Sequence, residues 1–190
     1  PSRDVVPLLD SDCFFFSEYV EAGAGSTNNF LEIYNGCGVE VSLAHYRLML
    51  CRDGCSLATR GAPGPWKGAV MIDLRISSSG PTPRLAAGDT FVIAYCEQEY
   101  SRNCADHNVI AGSDAWFRDL GDGNDPIGLL YMPTPGSVVG ATVVDQIGEV
   151  GREILLGWQV ANVSAATRDH RLSRKAVVSH GNCGAWSISA

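Results

Sequence analysis

The sequence predicts an all-β sandwich: one domain of about eight to nine short strands, stabilised by disulfides. Three observations lead to this prediction. Apolar residues make up 45% of the 190-residue chain and charged residues only 18%, the balance of a folded domain. The 21 glycines and 9 prolines interrupt the chain at short intervals, as turns between short strands do. The 7 cysteines are more than a reduced protein of this size ordinarily uses, so we expect secretion.

Charge and hydropathy exclude two classes of partner. The net charge of −7 would repel a phosphate backbone, and no Lys/Arg run compensates for it, so nucleic-acid binding is not expected. The longest apolar runs fall far short of the roughly 18 residues that a membrane-spanning helix needs. No signal peptide opens the sequence, so we expect a mature or processed chain.

The chain divides into an N-terminal arm, residues 1–12, and a β-sandwich domain, residues 13–190. The arm carries a small apolar group, Val5, Val6, Leu8 and Leu9, with polar residues on both sides and no strand-like alternation. We therefore predict that it is extended and surplus to the domain fold.

The strands follow in order from Cys13. Aromatic and β-branched residues predict a first strand to Val20, and a polar loop around Gly25 separates it from a second strand over residues 30–35. A period of two from Val39 to Leu50 predicts a third strand with a bend. Turn residues separate the remaining predicted strands, at 69–76, 90–96, 127–131, 138–147 and 170–178.

Several sequence blocks resemble the lamin-tail domains of secreted microbial and algal proteins. They are residues 16–21 with 28–35 (Asn-Asn-Phe-Leu-Glu-Ile-Tyr-Asn), 85–94 (Leu-Ala-Ala-Gly-Asp-Thr-Phe-Val-Ile-Ala), 143–151, and 169–175 with Gly181, Asn182 and Trp186. The blocks occur in the family's order over roughly residues 14–186. The resemblance implies an immunoglobulin-like sandwich that serves as a non-catalytic module.

The cysteine spacing predicts disulfides instead of a zinc site. Zinc sites use paired Cys-x2-Cys or Cys/His ligands, whereas the close pairs here are Cys51–Cys55 and Cys96–Cys104. If the first hairpin turns at Gly25, Cys13 and Cys37 lie equally far from the turn and face each other, so we expect them to pair. Cys51 with Cys55 and Cys96 with Cys104 would then close short loops. These three bridges leave Cys183 free or available for an intermolecular bond.

Two groups of acidic residues have the composition of a reactive or metal site. Glu18 and Glu32 are equally far from Gly25, so the hairpin would place them opposite each other, as acid/base catalysis requires. Polar structural support is the favoured interpretation, and no catalytic motif occurs in the sequence. The second group consists of weak candidates for a calcium-binding loop. Their spacing does not fit the EF-hand, and a Gly-rich turn explains the same residues. These candidates are Asp119, Asp122 and Asp125. We predict no cofactor and no resident metal.

Two surface features have the composition of a binding or modification site. A basic cluster around His170 suits an acidic partner, although strand positions often present such charge to water. Its members are Arg168, His170, Arg171, Arg174 and Lys175. Asn162-Val163-Ser164 is an N-glycosylation sequon, which predicts a surface glycan in a secreted protein. Asn35-Gly36-Cys37 is the rarer cysteine form, which pairing of Cys37 would block.

The sequence therefore predicts a non-catalytic extracellular subunit. We expect it to self-associate into a homo-oligomer or polymer, with the arm of one copy packing on another. The other interpretation is an arm that folds back on its own sandwich or is disordered. The alternative is a ligand-binding accessory module that attaches a longer secreted protein to carbohydrate or a cell surface.

Overall fold

The computed structural model describes residues 11–23, 28–55, 66, 68–74, 83–96, 113–151, 154–182, 184 and 186. Three short 3-10 turns occur in these ranges: η1 (Ser11–Cys13), η2 (Leu43–His45) and η3 (Arg52–Cys55). The strands are β1 (Phe14–Glu21), β2 (Phe30–Asn35), β3 (Val41–Ser42), β4 (Tyr46–Leu50), β5 (Val70–Asp73), β6 (Arg84–Leu85), β7 (Thr90–Tyr95), β8 (Ala115–Phe117), β9 (Ile127–Tyr131), β10 (Thr142–Ile147) and β11 (His170–Ser173). Within the described ranges, no helix has the length and hydropathy to span a membrane.

The strands form two main sheets that pack as a sandwich, which confirms the predicted fold class. One sheet has the order β11-β1-β2-β7-β8 and the other the order β10-β9-β4-β5, while β3 and β6 form a small ladder. All pairs are antiparallel except β7 with β8. Buried side chains from both sheets fill the space between them, including Phe14, Leu31, Ile33, Leu48, Ile93 and Leu129.

The eleven described strands exceed the predicted eight or nine because short ladders are not visible in a hydropathy pattern. The bent third strand is two strands, since η2 redirects the chain from the small ladder into the four-stranded sheet. The strand expected at 138–147 begins at Thr142, after the turn closed by the Ala141 N–H on the Val138 carbonyl. The strand expected at 170–178 ends at Ser173, before a turn closed by the Val178 N–H on the Lys175 carbonyl.

The β1–β2 hairpin has the predicted pairing plus a β-bulge. Phe16 pairs with Ile33 and Glu18 with Glu32, and the register shifts between Phe16 and Glu18. A bulge inserts one residue and reverses which face the following side chains occupy. The β1 side chains that belong to the core between the sheets therefore change from even positions before the bulge, such as Phe16, to an odd position after it, Tyr19.

A second apolar cluster covers the outer face of the four-stranded sheet. The Trp66 side chain is 3% exposed and belongs to a cluster of Met49, Cys51, Trp66, Ala69, Leu130 and Met132. Gly128 of β9 makes room for the indole, because a Cβ atom there would lie 2.8 Å from Trp66 Cη2. This face of the sheet is thus covered by the chain that leads into β5.

We expect Gly128→Ala to lower the free energy of unfolding by about 2 kcal/mol, since the added methyl group overpacks the site under a rigid ring. Urea denaturation measures the effect. In a Trp66→Ala background the same substitution should cost less, because only the flexible end of Met49, 3.0 Å from the added Cβ, remains of the atoms that it meets. An equal cost in both backgrounds would show that Trp66 does not lie over Gly128.

Two of the predicted disulfides are confirmed in the described residues. Cys13 is bonded to Cys37, and Cys51 to Cys55. Cys96 is also disulfide-bonded, while its expected partner Cys104 lies outside the described residues. The predicted free or intermolecular cysteine, Cys183, also lies outside them.

Candidate functional site

The sandwich has two ends that differ in structure. We call the end at the start of β1 the arm end, because residues 1–10 precede it in the chain. The rings of Phe14, Tyr46 and Tyr131 pack there in a tilted arrangement, with centroids 4.4 and 5.4 Å apart for successive pairs. We call the other end, where β1 stops at Glu21, the loop end. The eight residues of β1 separate the two ends by about 26 Å.

The arm end is fixed by covalent and backbone contacts. The Cys13–Cys37 disulfide ties η1 to the chain after β2, and the Gly36 N–H donates to the Cys13 carbonyl at 2.9 Å. The Gly181 N–H donates to the Asp12 carbonyl at 2.7 Å, and η1 packs against β10. η1, which follows residues 1–10 in the chain, is therefore fixed beside β10. The predicted contact residues of the arm, Val5, Val6, Leu8 and Leu9, lie outside the described residues.

β10 and β5 are the two edge strands of the four-stranded sheet. Apolar side chains of β5 face solvent. Val70 is 48% exposed and Met71 is 38% exposed. β5 pairs with β4 on one side, and no strand in the described part of the chain pairs with its outer side. An edge strand is a position at which a further strand can add to a sheet.

A buried carboxylate joins the sheets beneath the arm end. Asp145 of β10 is 0% exposed and accepts hydrogen bonds from the N–H groups of Phe16 at 2.8 Å and Asn182 at 2.9 Å. Arg174 Nη2 donates to it at 2.6 Å, and that guanidinium lies over the Phe15 ring. Asp145 thus connects β1, β10, the segment after β11 and the C-terminal segment.

Burial raises the pKa of Asp145 above its ordinary value, and the contacts oppose part of the rise. Arg174 lowers the pKa by its charge and its hydrogen bond, and the backbone donors of Asn182 and Phe16 lower it further. A group that is this well enclosed has no access to a substrate, so its role is structural.

Loops 121–125 and 154–169 interlock at the loop end. The Thr167 hydroxyl donates to the Gly123 carbonyl and accepts from the Trp158 N–H. The buried Glu21 carboxylate accepts from the Gly23 and Asp169 N–H groups. Burial, followed by the nearby carboxylates of Glu21, Asp125 and Asp122, raises the pKa of Tyr19. Hydrogen bonds thus join these two loops and the end of β1 in the described part of the loop end.

The Glu18–Glu32 pair lies opposite in register as predicted, but each carboxylate has its own structural partner. Glu18 forms an ion pair with Arg171 at 2.5 Å. Glu32 Oε1 accepts from the Ser17 hydroxyl at 2.7 Å. These contacts relieve the repulsion between like charges and support the structural interpretation.

In the acidic loop, Asp119 has structural partners of its own. Asp119 forms an ion pair with Arg52 and accepts from the Gly121 N–H at 2.9 Å. Among the described residues, no three His, Cys, Asp or Glu side chains are placed to hold a metal ion. The weak candidates Asp119, Asp122 and Asp125 are therefore not brought together as ligands.

Members of the basic cluster are engaged within the domain. Arg171 pairs with Glu18, Arg174 with Asp145, and Arg168 donates to the Leu155 carbonyl at 3.1 Å. Lys175 is exposed. Three arginines of the cluster thus bind β11 and its flanking residues to separate partners in the described part of the domain.

Sequence reasoning missed Asp145 and the open β5 edge. Asp145 could have been noticed as a lone carboxylate in the mostly apolar strand β10. Its partners could not, because they are distant in sequence. Val70 and Met71 are exposed because β5 is an edge strand. The order of strands in a sheet cannot be predicted from the local hydropathy pattern.

No family model, curated protein or solved structure matches this chain. The lamin-tail resemblance therefore stays a prediction.

Proposed function

We propose that this protein is a non-catalytic extracellular structural subunit that self-associates through its N-terminal arm into a filament or another surface assembly. The observation that carries the proposal is the arrangement of the four-stranded sheet. One edge, at β10, holds the origin of an apolar arm, and the other edge, β5, presents exposed apolar side chains. The start of the arm and the edge that would receive the arm of another copy thus lie on opposite edges of the sheet.

The short tether favours docking on a second copy. Only Asp10 separates Leu9 from η1, so Leu9 stays within about 7 Å of the arm's origin. β5 lies three strand spacings from β10, a distance of about 14 Å. The apolar run 5–9 therefore cannot lie along β5 of its own domain.

The chemistry of the arm fits an edge strand. Added as a strand, residues 5–9 would pair their backbone with β5 and place valine or leucine against Val70 and Met71. Pro7 has no N–H group, and such a residue is tolerated where a strand is itself an edge. The resulting contact is heterologous, which produces rings or open filaments.

The extracellular location is proposed from the disulfides, because such bonds form and persist in oxidising compartments. We also propose that the sandwich is of the immunoglobulin-like, lamin-tail type. The blocks that carry the resemblance fall in order on β1 with β2, then β7, β10 and β11.

Removal of residues 1–10 tests the proposal. This deletion keeps Ser11–Cys13, so η1 and the Cys13–Cys37 disulfide remain. We expect the full-length protein to show concentration-dependent light scattering and the deletion variant to stay monomeric. Association that is unchanged by the deletion, or a full-length protein that is monomeric at high concentration, would contradict the proposal.

A charge on the acceptor edge provides the matched test. Val70→Lys should prevent assembly, because lysine on an edge strand opposes strand addition. Val177→Lys, at a residue that is 86% exposed elsewhere, should leave assembly intact. A mixture of the deletion variant and the Val70→Lys variant should form a 1:1 heterodimer and stop there, since one supplies only an acceptor and the other only an arm.

A further inference from the structure

The sequon at Asn162 lies at the tip of a tight turn in the loop end. Val160 and Val163 form an isolated antiparallel bridge with reciprocal hydrogen bonds of 3.1 and 2.8 Å. The two residues between them, Ala161 and Asn162, have φ values of 49° and 68°, the left-handed pattern of a type I′ turn. Asn162 and Ser164 are both exposed. The whole acceptor tripeptide is thus presented to solvent.

The turn by itself accounts for only part of the tripeptide. Asparagine is favoured in left-handed turn positions on backbone grounds, which explains Asn162 without a glycan. The backbone does not call for a hydroxyl two residues later, yet Ser164 supplies the one that N-glycosylation requires.

The other asparagine sequon has the opposite environment. Asn35 is 0% exposed, and its amide group donates to the carbonyls of Val39, Leu85 and Ala86, each at 2.9 Å. Its third residue, Cys37, is held in a disulfide. A glycan on Asn35 would break these contacts and cannot be accommodated in the fold.

The glycan would be attached to a loop that is held by hydrogen bonds, at the end of the sandwich opposite to the arm end. The Trp186 indole N–H donates to the Gln159 carbonyl at 3.0 Å, and Thr167 links the same loop to Gly123. Nearby along the chain, Leu155 is 77% exposed and Val163 is 50% exposed. A glycan at the turn would shield apolar surface at the loop end while the arm end stays open for assembly.

We infer that Asn162 is N-glycosylated. This inference rests on the extracellular location in the proposed function and is independent of the arm. In the transfer step, Asn162 Nδ2 bonds to the anomeric carbon of an oligosaccharide carried on a polyprenyl diphosphate. The bond from that carbon to the diphosphate breaks, and the amide proton leaves with the diphosphate.

Secretion of the full chain from eukaryotic cells, directed by an added leader, tests the inference. We expect intact-mass analysis to show one glycan, and peptide N-glycosidase to remove it while converting Asn162 to Asp. Asn162→Gln and Ser164→Ala should each abolish the modification, whereas Ser164→Thr should keep it. All three variants should remain folded and still assemble, because the turn is exposed and lies at the end opposite to the arm.

Two results would overturn the inference. One is a secreted, disulfide-bonded chain that is unmodified at Asn162 while a control glycoprotein from the same cells is glycosylated. The other is a glycan on Asn35. Failure of the chain to be secreted would instead contradict the extracellular location, and loss of assembly without loss of the glycan would contradict the role of the arm.

Discussion

Asp145→Ala lowers the free energy of unfolding by about 3 kcal/mol, because it removes one partner of a buried ion pair and leaves the other without a counter-ion. The Phe16 and Asn182 N–H groups lose their acceptor, and the Arg174 guanidinium, with a side chain 23% exposed, loses its counter-ion. For a chain of this length the melting temperature should fall by about 10 °C. Thermal unfolding followed by circular dichroism measures the change.

Two variants separate the hydrogen bonds of Asp145 from its charge. Asp145→Asn keeps one acceptor oxygen and should lose less stability than the alanine variant. Arg174→Met leaves the carboxylate buried without its cation, which raises the pKa of Asp145 further. A folded-state pKa above that of the unfolded chain means that the folded state binds more protons. The deficit of Arg174→Met should thus be largest above the folded-state pKa and shrink as the pH falls towards the unfolded value. An equal deficit at pH 7 and at acidic pH would refute the charge pairing.

Gly123→Ala disrupts the loop end at a cost of about 3 kcal/mol, for two additive reasons. Gly123 has φ +87°, a conformation that strains any residue with a Cβ atom. A Cβ there would also lie 2.6 Å from the Thr167 carbonyl oxygen and 2.7 Å from Arg168 Cα. These are backbone atoms, so the two loops must separate. Urea denaturation measures the loss.

Gly136→Ala is the matched control, because Gly136 has φ +79° and nothing lies within 4 Å of a Cβ added there. It should cost only the backbone strain, about 1 kcal/mol. The difference between the two substitutions isolates the contact between the loops. Equal costs would mean that loops 121–125 and 154–169 are not packed as described.

The sequence predicted the first hairpin and its disulfide because both depend on a local turn. With Gly25 as the pivot, the pairing of Glu18 with Glu32 and of Cys13 with Cys37 follows from chain distance. The bulge after Phe16 was not predicted, since one inserted residue leaves the composition of the strand unchanged. The sequon at Asn162 is likewise a local pattern, and its glycosylation stays a prediction.

Features that join distant segments were not predictable in the same way. The partners of Asp145 come from β1, from the segment after β11 and from residue 182, and no local pattern links them. The open edge at β5 depends on the order of strands in a sheet. The weak calcium candidates are close in sequence, but closeness in sequence did not make them a site. Asp119, for example, pairs with Arg52 instead.

Electron microscopy of the native, full-length protein tests the central claim most directly, because it shows whether copies assemble and which surfaces meet. The account predicts filaments or closed rings in which each sandwich contacts the next head-to-tail, with residues 5–9 of one copy lying along Val70 and Met71 of its neighbour. Dispersed monomers at high concentration, or assemblies in which the β5 edge remains uncovered, would contradict it.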